Sequence, residues 1–140
     1  MRDILLNIDQ YPPRLAISNV VKFFEQRGVT VTKSMIQNYV RDKLLPPPVD
    51  NRYYTHKHLA TLALIDMLKT VYDMTAIKAV LLPLIDGDGV PLDVYFRCVQ
   101  RTEAMAERWQ ESVAPLILED NLLLMAHSVD LKDEAMERLT

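Results

Sequence analysis

Three consecutive prolines, Pro46–Pro48, constrain this chain more than any other feature. Proline has no amide hydrogen and clashes with the preceding helical turn, so the run must close any helix that reaches it. What reaches it is Met35-Ile-Gln-Asn-Tyr-Val-Arg-Asp-Lys-Leu-Leu45. Ile36, Val40 and Leu44 form an inward stripe there, with Met35 and Tyr39 beside it. The Thr32 hydroxyl can cap the free amides of the first turn, so a helix is predicted over about 33–45. Asn51-Arg-Tyr-Tyr-Thr55 follows the prolines as a tight aromatic and basic turn, and Thr55 caps a further helix. A polar-faced helix followed by a small wing is a shape that enters DNA grooves.

The neighbouring segments read as helices. Residues 1–13, with Tyr11-Pro12-Pro13, are expected to be an irregular arm. Ile17, Val20, Val21 and Phe24 make one helical face, and Gly28 stops it. Behind Thr55, the face is Leu59, Leu62, Ile65 and Leu68. A fourth helix, with Ile77, Val80, Leu81 and Leu84, starts at Asp73 or Thr75. Asp86-Gly-Asp-Gly89 breaks the chain, and Pro91 suits the first turn of the next helix. Leu92, Phe96, Val99, Thr102, Ala106, Trp109, Val113 and Leu116 then step in alternating threes and fours, a heptad-like seam. Pro115 should kink or end that helix. Leu122, Met125, Val129 and Met136 lie on one side of a last helix, in which Asp130 could restart the final turns.

With 140 residues, 49% of them apolar, and only three glycines, the fold class is mainly α. No apolar run is long enough to span a bilayer, and the single Cys98 cannot form an internal disulfide or a zinc cluster. A soluble, cytoplasmic setting is the expectation. Charge is divided unevenly. Residues 1–82 hold 11 Lys/Arg against 7 Asp/Glu, a balance of +4, whereas residues 83–140 hold 5 against 12, a balance of −7. A basic head on an acidic tail leaves the head as the surface for a polyanion.

The polar side of the helix at 33–45 is specific in kind. Ser34, Gln37, Asn38 and Arg41 fall at i, i+3, i+4 and i+7, on one outward stripe. Gln, Asn and Arg can make paired hydrogen bonds to base edges in a major groove. Lys33, Lys43 and Arg27 could meet phosphates around it, as could Arg52 and Tyr53 in the wing and, more weakly, His56 and Lys57. Tyr54 is expected to pack beneath the wing.

These residues carry a resemblance. The stretch from about residue 16 to 82 resembles the MerR-like winged helix-turn-helix. The anchors are Ile36, Tyr39, Leu44, Leu45 and Pro46, then Arg52 and Tyr54 in the wing, then Leu59, Leu62 and Ile65, and finally Ile77, Val80 and Leu81. Met35-Ile-Gln-Asn-Tyr-Val40 is similar to an uncharacterised bacterial branch catalogued as a domain of unknown function with a MerR-like head. Gln37 stands where the common pattern has Arg, Asn38 where it has Tyr, and Lys43 where it has Gly, and Gly28–Thr32 makes a longer turn than usual. The resemblance implies a DNA-binding head over 14–84 with a small two-stranded wing over about 46–54. It also implies a helical dimerisation and regulatory region over 90–140.

Other features read as structural. His56 and His58 point to different sides of a helix and cannot easily share a metal, so a solvated or capping role is expected. Asp86-Gly-Asp-Gly89 opens like a calcium loop, but Arg97 stands where the bidentate carboxylate belongs. His127 is expected in a core or interface, and Cys98 as a buried thiol. No enzyme motif and no need for a cofactor emerge. The expected activity is transcription regulation by a homodimer on double-stranded DNA. Leu92, Phe96, Val99, Ala106, Trp109 and Val113 would form the interface, with Trp109 packing across it. The competing expectation is a helical module for protein contact or for sensing a small apolar effector, on the strength of Met105, Trp109, Met125 and Met136.

Overall fold

A computed structural model describes residues 1–113 and 120–140, with side chains described outside 110–120. The described residues are mainly helical with one small antiparallel sheet. It divides into two compact units, Met1–Val99 and Gln100–Thr140.

In the first unit β1 (Arg14–Ala16) leads straight into α1 (Ile17–Glu25), and a turn leads to α2 (Lys33–Arg41). β2 (Tyr53–Thr55) leads into α3 (His56–Leu68), which precedes α4 (Met74–Leu81). α5 (Leu92–Val113) begins in this unit and continues into the second, which also holds α6 (Asp120–Leu139). α6 runs through Asp130 without a restart.

α3 is the axis of the first unit. His58 through Ile65 are all buried, so the helix is enclosed on every side rather than on the single face the leucines suggest. Ala60, Thr61 and Ala63 keep it thin enough for neighbours to close in. The Thr61 hydroxyl donates to the Lys57 carbonyl (2.8 Å) and accepts the Val90 amide (2.8 Å). That bond straps the 86–90 turn onto α3. A Cβ on Gly89 would run into the Lys57 carbonyl and the Thr61 hydroxyl, so this close approach needs glycine.

Residues 1–13 do not form a loose arm. Leu5 and Ile8 are buried in the core, and Ile8–Gln10 form a 3-10 turn. The Ile4 amide donates to the Tyr95 hydroxyl (2.9 Å), and Arg2 donates to the Arg27 carbonyl. Tyr95, the largest fully buried side chain among the described residues, is carried by α5. Burial pushes its phenol pKa up to about 12.

Two helix ends use one device. Beyond α1, Gly28 takes φ +73°, its amide donates to the Glu25 carbonyl, and the Val29 amide reaches back to Phe24 (2.9 Å). Beyond α2, Lys43 takes φ +60°, its amide donates to Val40 (3.1 Å), and the Leu44 amide reaches back to Tyr39 (2.9 Å). Both are Schellman turns. Hence α2 ends at Arg41, not near residue 45, and a left-handed Lys43 closes it before the prolines are reached.

In the second unit Trp109 stacks on His127 of the same chain, with ring centroids 5.6 Å apart. Trp109 is half-buried in that stack. The seam Leu92–Phe96–Val99 is engaged within the chain, because Val99 is in the core of the first unit and Leu92 and Phe96 pack against it. Ala106 is exposed. The side chain of Val113, the bend at Pro115 and Leu116 lie outside the described residues. Cys98 is half-buried.

Candidate nucleic-acid interface

α2 is held from one side and open on the other. Thr32 caps it, its hydroxyl accepting the Met35 amide at 3.1 Å. Ile36 within the helix and Leu44 just beyond it are fully buried. Both anchors are apolar and both lie on the side away from the polar stripe, so packing fixes the rotation of the helix about its axis. Ser34, Gln37, Asn38 and Arg41 are all exposed, as the i, i+3, i+4, i+7 spacing requires. Lys33 and Lys43 flank them, also exposed. The Arg41 guanidinium lies 3.6 Å from the Asp42 carboxylate in an open surface pair.

The segment after α2 is a real hairpin, built differently from the expected wing. Asp50 and Asn51 both take left-handed backbone (φ +54° and +57°), and the Arg52 amide donates to the Val49 carbonyl at 3.0 Å. Two left-handed central residues closed by that bond make a type I′ turn, for which Asn and Asp are suited. Beyond the Val49–Tyr53 bridge, β2 pairs with β1: Arg14 faces Thr55, Leu15 faces Tyr54, and Ala16 faces Tyr53. The second strand of the sheet therefore comes from ahead of α1, a partner that the sequence pattern does not reveal.

Arg52 is exposed, its guanidinium 5.7 Å from the Tyr53 ring centroid, and Tyr53 is half-buried. Tyr54 is buried, as expected, and burial raises its phenol pKa. Arg14 pairs with Asp50 at the hairpin tip (3.5 Å).

His58 organises this loop. Its Nδ1 accepts the Thr55 amide at 2.9 Å, closing a capping box in which histidine takes the place usual for Glu or Gln. Nε2 must then carry the proton, and it donates to the carbonyls of Pro46 and Pro47, each at 3.1 Å. One buried imidazole therefore pins both ends of the 46–55 loop, while its ring meets Tyr54 edge-on at 5.1 Å. Burial holds its pKa below the usual histidine value, and the Pro47 carbonyl opposes that shift. The expected capping role is present, but the residue is enclosed rather than solvated. A Thr-x-x-His pattern ahead of an apolar run was the available signal.

The first turn of α3 offers little to a phosphate. The Lys57 ammonium is bound by the Asp86 carbonyl (2.8 Å) and lies 3.8 Å from its carboxylate. The His56 Nε2 lies 2.8 Å from the Pro12 carbonyl. Arg27 is occupied as well: its guanidinium covers the Phe23 ring at 3.7 Å and donates to the Phe23 carbonyl. Among the described residues no group of three or more His, Cys, Asp or Glu could hold a metal, and no helix is long and apolar enough to cross a membrane.

A family model described as a domain of unknown function (DUF1836) matches residues 8–93, more than half of the chain. No curated protein and no solved structure matches it.

Proposed function

The chain belongs to the DUF1836 family, and from that premise we propose that it is a bacterial, cytoplasmic transcription regulator that binds double-stranded DNA. On this reading residues 14–84 act as a MerR-like winged helix-turn-helix head. α2 would enter the major groove, and the hairpin around Arg52 would grip the flank. Two heads would meet a pseudo-palindromic site as a homodimer, with no chemistry of their own. The observation that carries the proposal is the pairing on α2 of a fixed apolar side with an exposed stripe of Ser34, Gln37, Asn38 and Arg41. Amides match adenine and guanidinium matches guanine, each through two groove atoms.

The contact set is narrower than the sequence suggests. Ser34, Gln37, Asn38 and Arg41 face bases, while Lys33, Lys43, Arg52 and Tyr53 remain for phosphates. Lys57 is withdrawn to Asp86. The competing reading, a module for protein contact without DNA, draws support from the exposed apolar side chains of α6 and from acidic Asp42 and Asp50 beside the stripe and hairpin.

Selection of bound duplexes from a random pool, followed by affinity measurements on the selected and a scrambled duplex, decides between them. Gln37→Ala and Arg41→Ala should each cost about 1–3 kcal/mol on the selected site and little on the scrambled one. Equal losses on both would mean that this face positions without reading. A wild-type chain that binds no duplex would hand the case to the protein-contact module.

A further inference from the structure

The small sheet has two unlike faces. Its register sets Leu15 against Tyr54, and both are buried. Side chains alternate along a strand, so Arg14, Ala16, Tyr53 and Thr55 stand on the opposite, outward face. Arg14 is exposed there and the other three are half-buried. The Arg52 guanidinium lies 5.7 Å from the Tyr53 ring centroid. From β1, the Arg14 guanidinium reaches the hairpin turn, 3.5 Å from an Asp50 carboxylate oxygen. Two guanidiniums from distant parts of the chain therefore converge on one hairpin. Among the described residues, Asp50 is the one acid paired with either of them.

The turn does not need the charge of Asp50. Its backbone is left-handed (φ +54°), a conformation that asparagine also takes, as Asn51 does in the same turn. Nor does the pair hold much of the fold together. Its two side chains are 55% and 70% exposed, and an ion pair so open adds little to stability. What the carboxylate does is set an anion against Arg14, at the tip of the element that the DNA reading places on the duplex flank. We propose that Arg14 is a second arginine of that contact, gripping a backbone phosphate beside Arg52, and that Asp50 occupies it in the phosphate's place until duplex binds. A phosphate offers a guanidinium the same paired acceptor oxygens as a carboxylate, so it can take over the bond. The inference rests on the DNA reading. It adds to that reading a contact residue from β1 and a competitor built into the hairpin.

The experiment uses the full chain and a short duplex selected from a random pool, titrated between about 50 and 200 mM salt. Arg14→Ala should lower the slope of log affinity against log salt by about 0.9, on selected and scrambled duplexes alike, while Arg14→Lys keeps the slope. Asp50→Asn should tighten binding by up to roughly fivefold, the span of an open ion pair, with an unchanged melt. In an Arg14→Ala background, Asp50→Asn should lose most of that gain, because the two changes act on one bond. An unchanged salt slope for Arg14→Ala, at a duplex the wild type binds, overturns the proposal and leaves the DNA reading standing. So does a gain from Asp50→Asn that persists in full without Arg14, since the carboxylate then acts only by adding negative charge to the surface. An Asp50→Asn protein that melts lower and binds no tighter makes the pair a structural staple, which also overturns it. A wild type that binds no duplex fails the DNA reading itself, and this inference with it.

Discussion

Replacing Lys43 by glycine should make the protein more stable and, on the proposed function, a weaker binder. Lys43 closes α2 in left-handed backbone, where a side chain costs roughly 1–2 kcal/mol. Glycine removes that cost but adds about 0.4–1 kcal/mol of chain entropy to the unfolded state. It also removes a cation from a helix C-terminus, worth about 0.3 kcal/mol at an exposed site. The balance is a gain of about 0.5 kcal/mol, or roughly 2–4 °C in Tm. Gly28 supplies the internal control. It sits at the matching position behind α1, and nothing lies within 4 Å of the Cβ it lacks, so Gly28→Ala meets backbone strain and no steric clash. That variant should lose about 1 kcal/mol. Thermal melts of both, beside duplex titrations in salt, make the test. Lys43→Gly should lower the slope of log affinity against log salt by about 0.9 if the ammonium meets a phosphate. A Lys43→Gly protein that melts lower than wild type, or a Gly28→Ala protein that melts unchanged, would refute the argument from the two turns.

Arg52→Ala should weaken binding to all duplexes alike and flatten the salt dependence, with the melt unchanged, because the residue is exposed. An unaltered salt slope would remove the hairpin from the interface. Gly89→Ala should cost about 1–3 kcal/mol in a denaturant titration, since the new methyl meets backbone and a buried hydroxyl that have no room to yield. In the pH profile, His58 is neutral when folded and its pKa is depressed, so the unfolded chain takes up the proton first. Stability should therefore hold above about pH 6.5 and fall as the pH drops from there toward the lowered value. His58→Gln keeps the capping box, loses the bonds to Pro46 and Pro47, and should flatten that fall while hydrogen exchange speeds up at the Arg52 and Tyr53 amides.

The helices and the exposed stripe were legible because each rests on short-range periodicity. Thr32, Ile36, Val40 and Leu44 announce α2 within a dozen residues, and the alternative placement would bury the Gln37 amide and the Arg41 guanidinium. What was not legible depends on residues far apart in the chain. β1 is three residues long and has no pattern until Tyr53–Thr55 lies beside it. Leu5 and Ile8 look like members of a loose arm until Tyr95 offers a hydroxyl to the Ile4 amide. The α5 seam was visible as a period, but a period does not say what covers it. Its first half is spent on the core of the first unit. The end of α2 was misplaced for a local reason: lysine carries no label for left-handed backbone, whereas glycine at the same place behind α1 does.

The distribution of acids around α2 and the hairpin bears on how such a surface would work. Arg41 has Asp42 at 3.6 Å, Arg14 has Asp50 at 3.5 Å, and Lys57 has Asp86 at 3.8 Å. The first two pairs are open to water, where an ion pair is worth about 0–1 kcal/mol and is screened by salt. Either cation can leave its carboxylate for a phosphate or a guanine at little cost. Lys57 differs, because a carbonyl holds it as well and its side chain is only one-third exposed. In the proposed complex, Lys33, Lys43 and Arg52 supply attraction without competition from an ion pair among the described residues, and Arg41 supplies it against a nearby acid. The acids thus temper the strength and salt dependence of docking. In that complex, discrimination among sequences would depend on Gln37 and Asn38 together with Arg41; the two amides carry no charge, and their direction is set by the burial of Ile36 and Leu44 behind them.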